Sequence, residues 1–359
     1  MNNSTPSSRD LEQLKSQIGA WASELEFDGF GVSDTDITVA EKYLFSWLKK
    51  NRNGEMTYMA RHGTRRTRAQ ELIPDTIRVL SLKMNYWKTN TQSPIDVLSD
   101  LNTGYIARYA LGRDYHKLIR QRLKVLADRI SLEAVGYQFR AYVDSAPVME
   151  KPLAVKGGLG WIGKHTNLID RKAGSWFFLG ELYTNLPLPI DTPQQDNCGT
   201  CRRCIAACPT NAIVAPYELD ARLCISYLTI ELKSAIPEAL RPLIGNRIFG
   251  CDDCQLVCPW NKYATESPVK DFSARHELDA TSLIELFRWT EIEYDQKSRG
   301  SAIRRTGYEC WLRNIAVALG NAPTSKAVVD VLLSRLDYPS ELVHEHIVWA
   351  LLQHKREVQ

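Results

Sequence analysis

Two stretches decide how this chain folds: Cys198-Gly-Thr-Cys201-Arg-Arg-Cys204-Ile-Ala-Ala-Cys208-Pro209 and, further on, Cys251-Asp-Asp-Cys254-Gln-Leu-Val-Cys258-Pro259. With Cys224 between them they hold all but one of the 9 cysteines in 359 residues. The first follows the C-x2-C-x2-C-x3-C-P spacing of bacterial ferredoxins. There, three close thiolates wrap one face of a [4Fe-4S] cube and the cysteine before proline serves a second cube. On that pattern Cys198, Cys201, Cys204 and Cys258 hold a first cluster, and Cys208, Cys224, Cys251 and Cys254 a second. Three other uses of the thiols compete. Disulfides are disfavoured in a reducing compartment. Two four-cysteine zinc sites would more usually show paired C-x2-C knuckles than C-x3-C-P endings. Plain buried thiols need no regular spacing. Cys310, in Tyr308-Glu-Cys-Trp-Leu312, has no partner near it in sequence and reads as a buried small hydrophobe. Two cubes sharing ligands pass electrons one at a time. Such a module conducts, so the chemistry must come from elsewhere on the chain.

The rest of the composition is that of an ordinary globular protein. Hydrophobic residues make up 44% and charged residues 24%, with 20 Gly and 16 Pro. That excludes a disordered or collagen-like chain, and the length suits two or three domains. A net charge of +3 neither demands nor forbids a polyanionic partner. No apolar run reaches the ~18 residues of a membrane span. The start, Met1 to Asp10, lacks the basic-then-apolar pattern of a secretory signal and reads as a frayed polar tail, so a cytoplasmic protein is expected.

Periodicity predicts an α+β architecture. Leu11, Leu14, Ile18, Trp21 and Leu25 fall on one stripe, so residues 9–50 read as helical. Residues 77–86 alternate as a strand should, 115–134 form an amphipathic helix, and 139–143 and 176–183 are further strands. These predict an α/β sandwich over 1–188, joined through the Pro-rich linker at 186–196 to a ferredoxin-like two-cluster domain at 189–268. The remainder, 269–359, is helical. There Arg313-Asn-Ile-Ala-Val-Ala-Leu is echoed by His344-Glu-His-Ile-Val-Trp-Ala, and Ala318 aligns with Ala350 at an offset of 32. That is either a HEAT-like repeat pair or two unrelated core helices. Arg299, Arg304, Arg305 and Arg313 form a cluster that suits phosphates or a solvated face.

Gly157-Gly-Leu-Gly-Trp-Ile-Gly-Lys-His165 nearly matches two nucleotide motifs, and neither context holds. His165 stands where Ser or Thr would bind magnesium, and Lys151-Pro-Leu-Ala-Val-Lys156 is a poor central strand. What remains is a Gly-rich turn that either cradles a large planar or phosphate-bearing cofactor or turns a corner. Asp144, at the end of a strand before Ser145 and Pro147, is either a turn residue or a proton donor in a cleft whose pKa burial raises. Lys151 is its charge partner or plain surface.

Tyr58-Met-Ala-Arg-His62, Gly112-Arg-Asp-Tyr-His-Lys117, Val143-Asp-Ser-Ala-Pro147, Gly158-Leu-Gly-Trp-Ile-Gly-Lys164, the eight cysteines and Gly245-Asn-Arg-Ile-Phe-Gly-Cys-Asp-Asp-Cys254 together resemble the epoxyqueuosine reductase family. The match covers nearly the whole chain, in order. The resemblance implies a cobalamin-dependent iron–sulfur enzyme, related in its core to reductive dehalogenases, that converts epoxyqueuosine to queuosine at the tRNA wobble position, the last step of queuosine synthesis. It makes Asp144 the proton donor. It also puts Arg61, His62, Asn167, Ser226 and Thr229, with Asp144 and Lys151, at the corrinoid. Asp114-Tyr-His116 begins a D-x-H-x-x-G motif, but Ile119 stands where Gly should be, so a base-off cob(II)alamin without a histidine ligand is implied. A modified base splayed from the anticodon loop would enter the site, with Arg304 and Arg305 gripping the stem backbone. The reading calls for an external low-potential electron donor and a monomer. Its rivals are a corrinoid-dependent reductive dehalogenase of a small molecule, a ferredoxin-like carrier fused to a binding domain, and a zinc-bearing RNA-binding protein.

Overall fold

Two glycines, Gly29 and Gly31, interrupt the apolar stripe of the N-terminal segment, and helix interiors lose about 1 kcal/mol for each. The computed structural model, which describes residues 8–356, accordingly breaks the single helical stretch read over 9–50. Helix α1 (Ser8–Glu24) is followed by strand β1 (Gly29–Ser33) and helix α2 (Thr38–Lys49). A Cβ at Gly31 would collide with the Gly157 carbonyl, so this strand needs glycine for a second reason. The polar tail expected before residue 8 lies outside the described residues.

The other periodic segments form the elements their patterns predict: β2 (Arg78–Asn85), α3 (Tyr115–Glu133), β3 (Phe139–Tyr142) and β4 (Phe177–Thr184). The strands make one antiparallel sheet in the order β1-β2-β4-β3. One face carries Leu80, Leu82, Met84 and Leu182 against Ile18 of α1 and Ile119, Leu123 and Ile130 of α3. Gly180 lets α3 approach, since a Cβ there would stand 2.7 Å from Ile119. On the other face Val79 and Tyr183 meet Leu153 of α4 (Glu150–Lys156). The stretch read as a linker is tied down: Leu186 and Leu188 are fully buried, and Asp191 accepts the Val32 N–H and pairs with Lys15 at 2.7 Å.

The Gly-rich turn forms a hairpin of Trp161–Ile162 with Leu168–Ile169. Lys164, which resembles a phosphate-binding lysine in sequence, donates instead to the carbonyls of Gly199 (2.5 Å) and Cys201 (2.9 Å). Trp161 packs with Trp260, Cys198 and Cys258. The turn is therefore the seam between the sheet and the cysteine-rich segment.

Five helices follow: α5 (Leu283–Arg288), α6 (Glu291–Ser298), α7 (Tyr308–Gly320), α8 (Lys326–Leu333) and α9 (Glu341–Arg356). They share one core with Ile106–Leu111 and with Ile225–Phe249. Helix α7 is buried almost throughout and packs on α9, where a Cβ at Gly320 would stand 2.9 Å from Ala350. Arg313 is no part of a surface cluster. It is fully buried and donates at 2.8 Å to the carbonyls of Leu228, Leu232 and Ser234, closing the end of the 227–231 turn. Cys310 is buried. Among the described residues no helix is long and apolar enough to cross a membrane.

Candidate active site

The eight clustered cysteines gather in two neighbouring groups. Cys204 senses the charges of Cys258, Cys198 and Cys201, and Cys258 those of Cys198 and Cys201. In the second group Cys254 senses Cys224 and Cys208, and across the groups Cys204; Cys251 senses Cys224, and Cys224 senses Cys208. Short helices at Arg203–Ala206 and Asp253–Leu256 follow the C-x2-C turns and aim the thiols. Burial pushes the Cys251 and Cys254 thiols well above their ordinary values. Among the described residues no three Cys, His, Asp or Glu side chains could hold a single metal ion.

The second group forms one wall of a cavity of ≈ 440 Å³ between the sheet and the cysteine-rich segment. Asp144, Lys151, Asn167, Ser226 and Arg305 line the same cavity, with Cys208, Cys224, Cys251 and Cys254 opposite. Three residues expected at a cofactor do not line it. Arg61 and His62 are exposed at the end of a short helix, Tyr58–Arg61. Thr229 is fully buried, and its hydroxyl is already used, donating to the Ile225 carbonyl (2.7 Å) and accepting the Gly250 N–H (2.9 Å). The two arginines assigned to tRNA differ as well. Arg305 reaches the cavity, 3.9 Å from Glu231, whereas Arg304 lies outside it, paired with Asp295.

Asp144 is held by α3. Asp114 caps that helix by accepting the His116 N–H at 3.0 Å, which turns the His116 ring back so that Nδ1 meets Asp114 Oδ1 at 2.6 Å. The other ring nitrogen, Nε2, lies 2.5 Å from Asp144 Oδ1, and the Tyr115 hydroxyl donates to Asp144 Oδ2. Burial alone would raise the Asp144 carboxyl, as the sequence reading supposed. The structure corrects that: the hydrogen bond and charge of His116, with the Tyr115 hydroxyl, outweigh burial and hold Asp144 below the ordinary value. The proton sits on His116. Burial opposes its charge, but the two carboxylates push the imidazole up to about 9.

Behind this relay stand two more carboxyls. Burial, then the Asp144 charge, pushes Glu150 up to about 7; its Oε2 has no partner. Glu181, facing Tyr142 across the β3–β4 pairing, is fully buried with both oxygens unpartnered, and burial raises it well above the carboxylate range. Lys151 donates to the Thr166 carbonyl (3.2 Å) and to Asn167 Oδ1 (3.3 Å). His165 accepts the Asn167 N–H on Nδ1 at 3.1 Å, and burial pushes it down to about 4, so the neutral ring carries its proton on Nε2. That buried Nε2 has no partner. Sequence assigned none of Tyr115, His116, Glu150 and His165 a role in the site, although Tyr115, His116 and His165 lie in the motifs quoted above.

Residues 66–145 match the family described as "Epoxyqueuosine reductase QueG, DUF1730", and residues 197–261 match "4Fe-4S double cluster binding domain". The chain is 56% identical over 345 residues to the epoxyqueuosine reductase of Xanthomonas campestris, covering 96% of this chain and 97% of that one. It is 54% identical over 346 residues to that of Pseudomonas aeruginosa, covering 96% of each. This chain belongs to the epoxyqueuosine reductase family. Its fold agrees. A crystal structure of epoxyqueuosine reductase with a tRNA-Tyr epoxyqueuosine-modified stem loop superposes with a TM-score of 0.87 at 25% identity, covering 96% of this chain and 91% of that one. The Streptococcus thermophilus enzyme gives 0.85 at 25%, covering 95% and 90%. This family member is thus an α+β oxidoreductase with an iron–sulfur double-cluster segment.

Proposed function

We propose that this chain reduces epoxyqueuosine to queuosine in tRNA, in the cavity where Asp144 faces the second cysteine group. The shared wall is the observation that carries the reading: a proton relay and Cys208, Cys224, Cys251 and Cys254 line one space. Cys198, Cys201, Cys204 and Cys258 would hold one [4Fe-4S] cluster and the second group the other, a reading supported by the ferredoxin spacing and by the gathering of Cys208, Cys224, Cys251 and Cys254 on one cavity.

The cavity wall fits a corrinoid. The orphaned His165 Nε2–H is a donor in search of an acceptor, and the amide-bearing rim of a corrinoid offers carbonyls. Because that nitrogen carries the proton, it has no lone pair for cobalt, in keeping with a base-off cobalamin. Lys151, Asn167 and Ser226 would supply the remaining polar contacts. When bound, the corrinoid supplies a strongly reducing cobalt centre, fed one electron at a time from an external low-potential donor.

The chain's own residues supply the protons. Opening the epoxide to an alkene takes two electrons and two protons and releases water. His116 holds the first proton and passes it through the Asp144 carboxylate to the departing oxygen. Glu150, protonated near neutral pH on the same wall, stands ready with the second. Arg305 places a cation at the cavity edge, where it would meet the anticodon loop, and Arg304 lies outside, where a stem backbone would run. Helices α7 and α9, packed on each other, would form a HEAT-like pair behind that surface. A monomer acting on tRNA in the cytoplasm fits these roles.

The test is mass analysis of tRNA nucleosides after anaerobic incubation with cobalamin and a strong reductant. Queuosine should form, and should fail to form when cobalamin is omitted. Epoxyqueuosine left intact by fully loaded protein overturns the reading.

A further inference from the structure

We propose that the groove of ≈ 990 Å³ on the outer side of the first cysteine group is the docking surface of a small acidic electron-carrier protein. This rests on the two-cluster reading above. The groove and the catalytic cavity stand back to back. Consecutive residues face the two spaces: Tyr86, Ser175 and Gln255 line the cavity, while Trp87, Trp176 and Leu256 line the groove, and no residue lines both. The cavity wall carries the second cysteine group, and the groove carries Cys258 of the first. Electrons arriving from outside therefore enter at the first group and leave at the second.

The groove suits a protein partner. Its floor is apolar, with Trp87 and Trp176 packed at 5.1 Å between ring centroids with a 39° tilt, and Trp87 covered by the Arg108 guanidinium at 4.5 Å. Its rim is cationic. Arg203 and Lys262 line it and are exposed, and exposed Arg202 adjoins them. No carboxylate is among the described residues lining it. Cations around an apolar centre attract an acidic surface and raise its association rate, while a small contact keeps the complex transient, as repeated electron delivery requires. RNA would meet the same charges, but it has no electrons to give to Cys258 at the floor. Each docking oxidises the carrier by one electron and reduces the first cluster by one. Two dockings supply the electrons for one epoxide, and the protons come from the Asp144 side.

The test compares holoenzyme with the Arg203→Glu/Lys262→Glu variant, using either reduced flavodoxin as the acidic carrier or reduced methyl viologen as a small diffusible donor. Flavodoxin-supported turnover at low salt should fall at least ~10-fold while viologen-supported turnover is unchanged. Added salt should slow the parent with flavodoxin by screening attraction and speed the charge-reversed variant by screening repulsion. The neutral Arg203→Gln/Lys262→Gln pair should fall between the two, which keeps the test open if the reversed charges disturb folding. Equal flavodoxin rates in parent and variants overturn the proposal. So does a variant whose tRNA affinity falls while its flavodoxin rate holds, or a groove covered by a second copy of the chain in solution. Loss of turnover with both donors in the parent would instead refute the function itself.

Discussion

Replacing His116 by Gln removes the cation between Asp114 and Asp144 and keeps a side chain of similar reach. In the parent the imidazole rises from 6.5 to about 9. At about 1.4 kcal/mol per unit this corresponds to roughly 3 kcal/mol of interaction with the two carboxylates. It is an upper figure, because 34% of the Asp144 side chain is open to screening. The sign follows. A histidine whose folded pKa is raised stabilises the folded chain fully below pH 6.5 and loses that contribution as pH rises through about 9. The stored proton follows the same window, so turnover of the parent should fall as pH rises through about 9. In His116→Gln only the Tyr115 hydroxyl and the Arg305 charge oppose burial at Asp144, and its carboxyl titrates upward from its depressed value. The falling limb of the rate profile should then move to lower pH, and loss of the proton store should lower the rate at pH 8 on the order of 10²-fold. The assay is nucleoside analysis of the tRNA product across pH, with reductant in excess and cluster content checked. Thermal unfolding gives a second readout: the parent's advantage over the variant should shrink between pH 6.5 and about 9. A variant with the parent's rate and the same limb near pH 9 refutes the relay.

Asp144→Asn should retain iron, sulfide and corrinoid and lose ~10²–10⁴ in turnover; full activity would reduce Asp144 to a turn former. Cys224→Ser should lose one cluster's share of iron and sulfide, with the first group intact and tRNA turnover abolished. Unchanged iron content would remove Cys224 as a ligand. Arg304→Glu should weaken tRNA binding and lower the slope of log affinity against log salt by about 1 without changing single-turnover chemistry, whereas Arg305→Glu should affect both, because Arg305 lies within electrostatic reach of Asp144. Binding that is identical across salt contradicts the first, and a normal chemical rate contradicts the second.

The features legible in sequence were those with local spacing. The cysteine runs, the strands at 78–85 and 177–184 and the helix at 115–133 all repeat at short period, and the family resemblance rests on contiguous motifs. What failed depended on contacts distant in sequence. His116 meets Asp144 across 27 intervening positions, a pairing no local pattern carries, although Asp114 as the helix cap does explain why the ring turns back. Glu181, alone among apolar residues in Phe177-Phe-Leu-Gly-Glu-Leu-Tyr-Thr184, was a visible anomaly in a central strand and a fair signal of a buried acid. Lys164 and Arg313 looked like phosphate ligands because composition does not show that each is consumed by backbone carbonyls. The strand at 29–33 was hidden by apolar residues flanking it at helical spacing, with only Gly29 and Gly31 to betray it.

Iron–sulfur electrons and the protons passed through Asp144 meet in one cavity. A single-turnover experiment tests it most directly: holoenzyme is reduced, freed of excess reductant without oxygen, and mixed with epoxyqueuosine-bearing tRNA while cluster oxidation and nucleoside product are followed together. Queuosine should form in step with cluster oxidation, with both slowed alike in Asp144→Asn. Product formed while the clusters stay reduced, or clusters oxidised with the epoxide untouched, would contradict it.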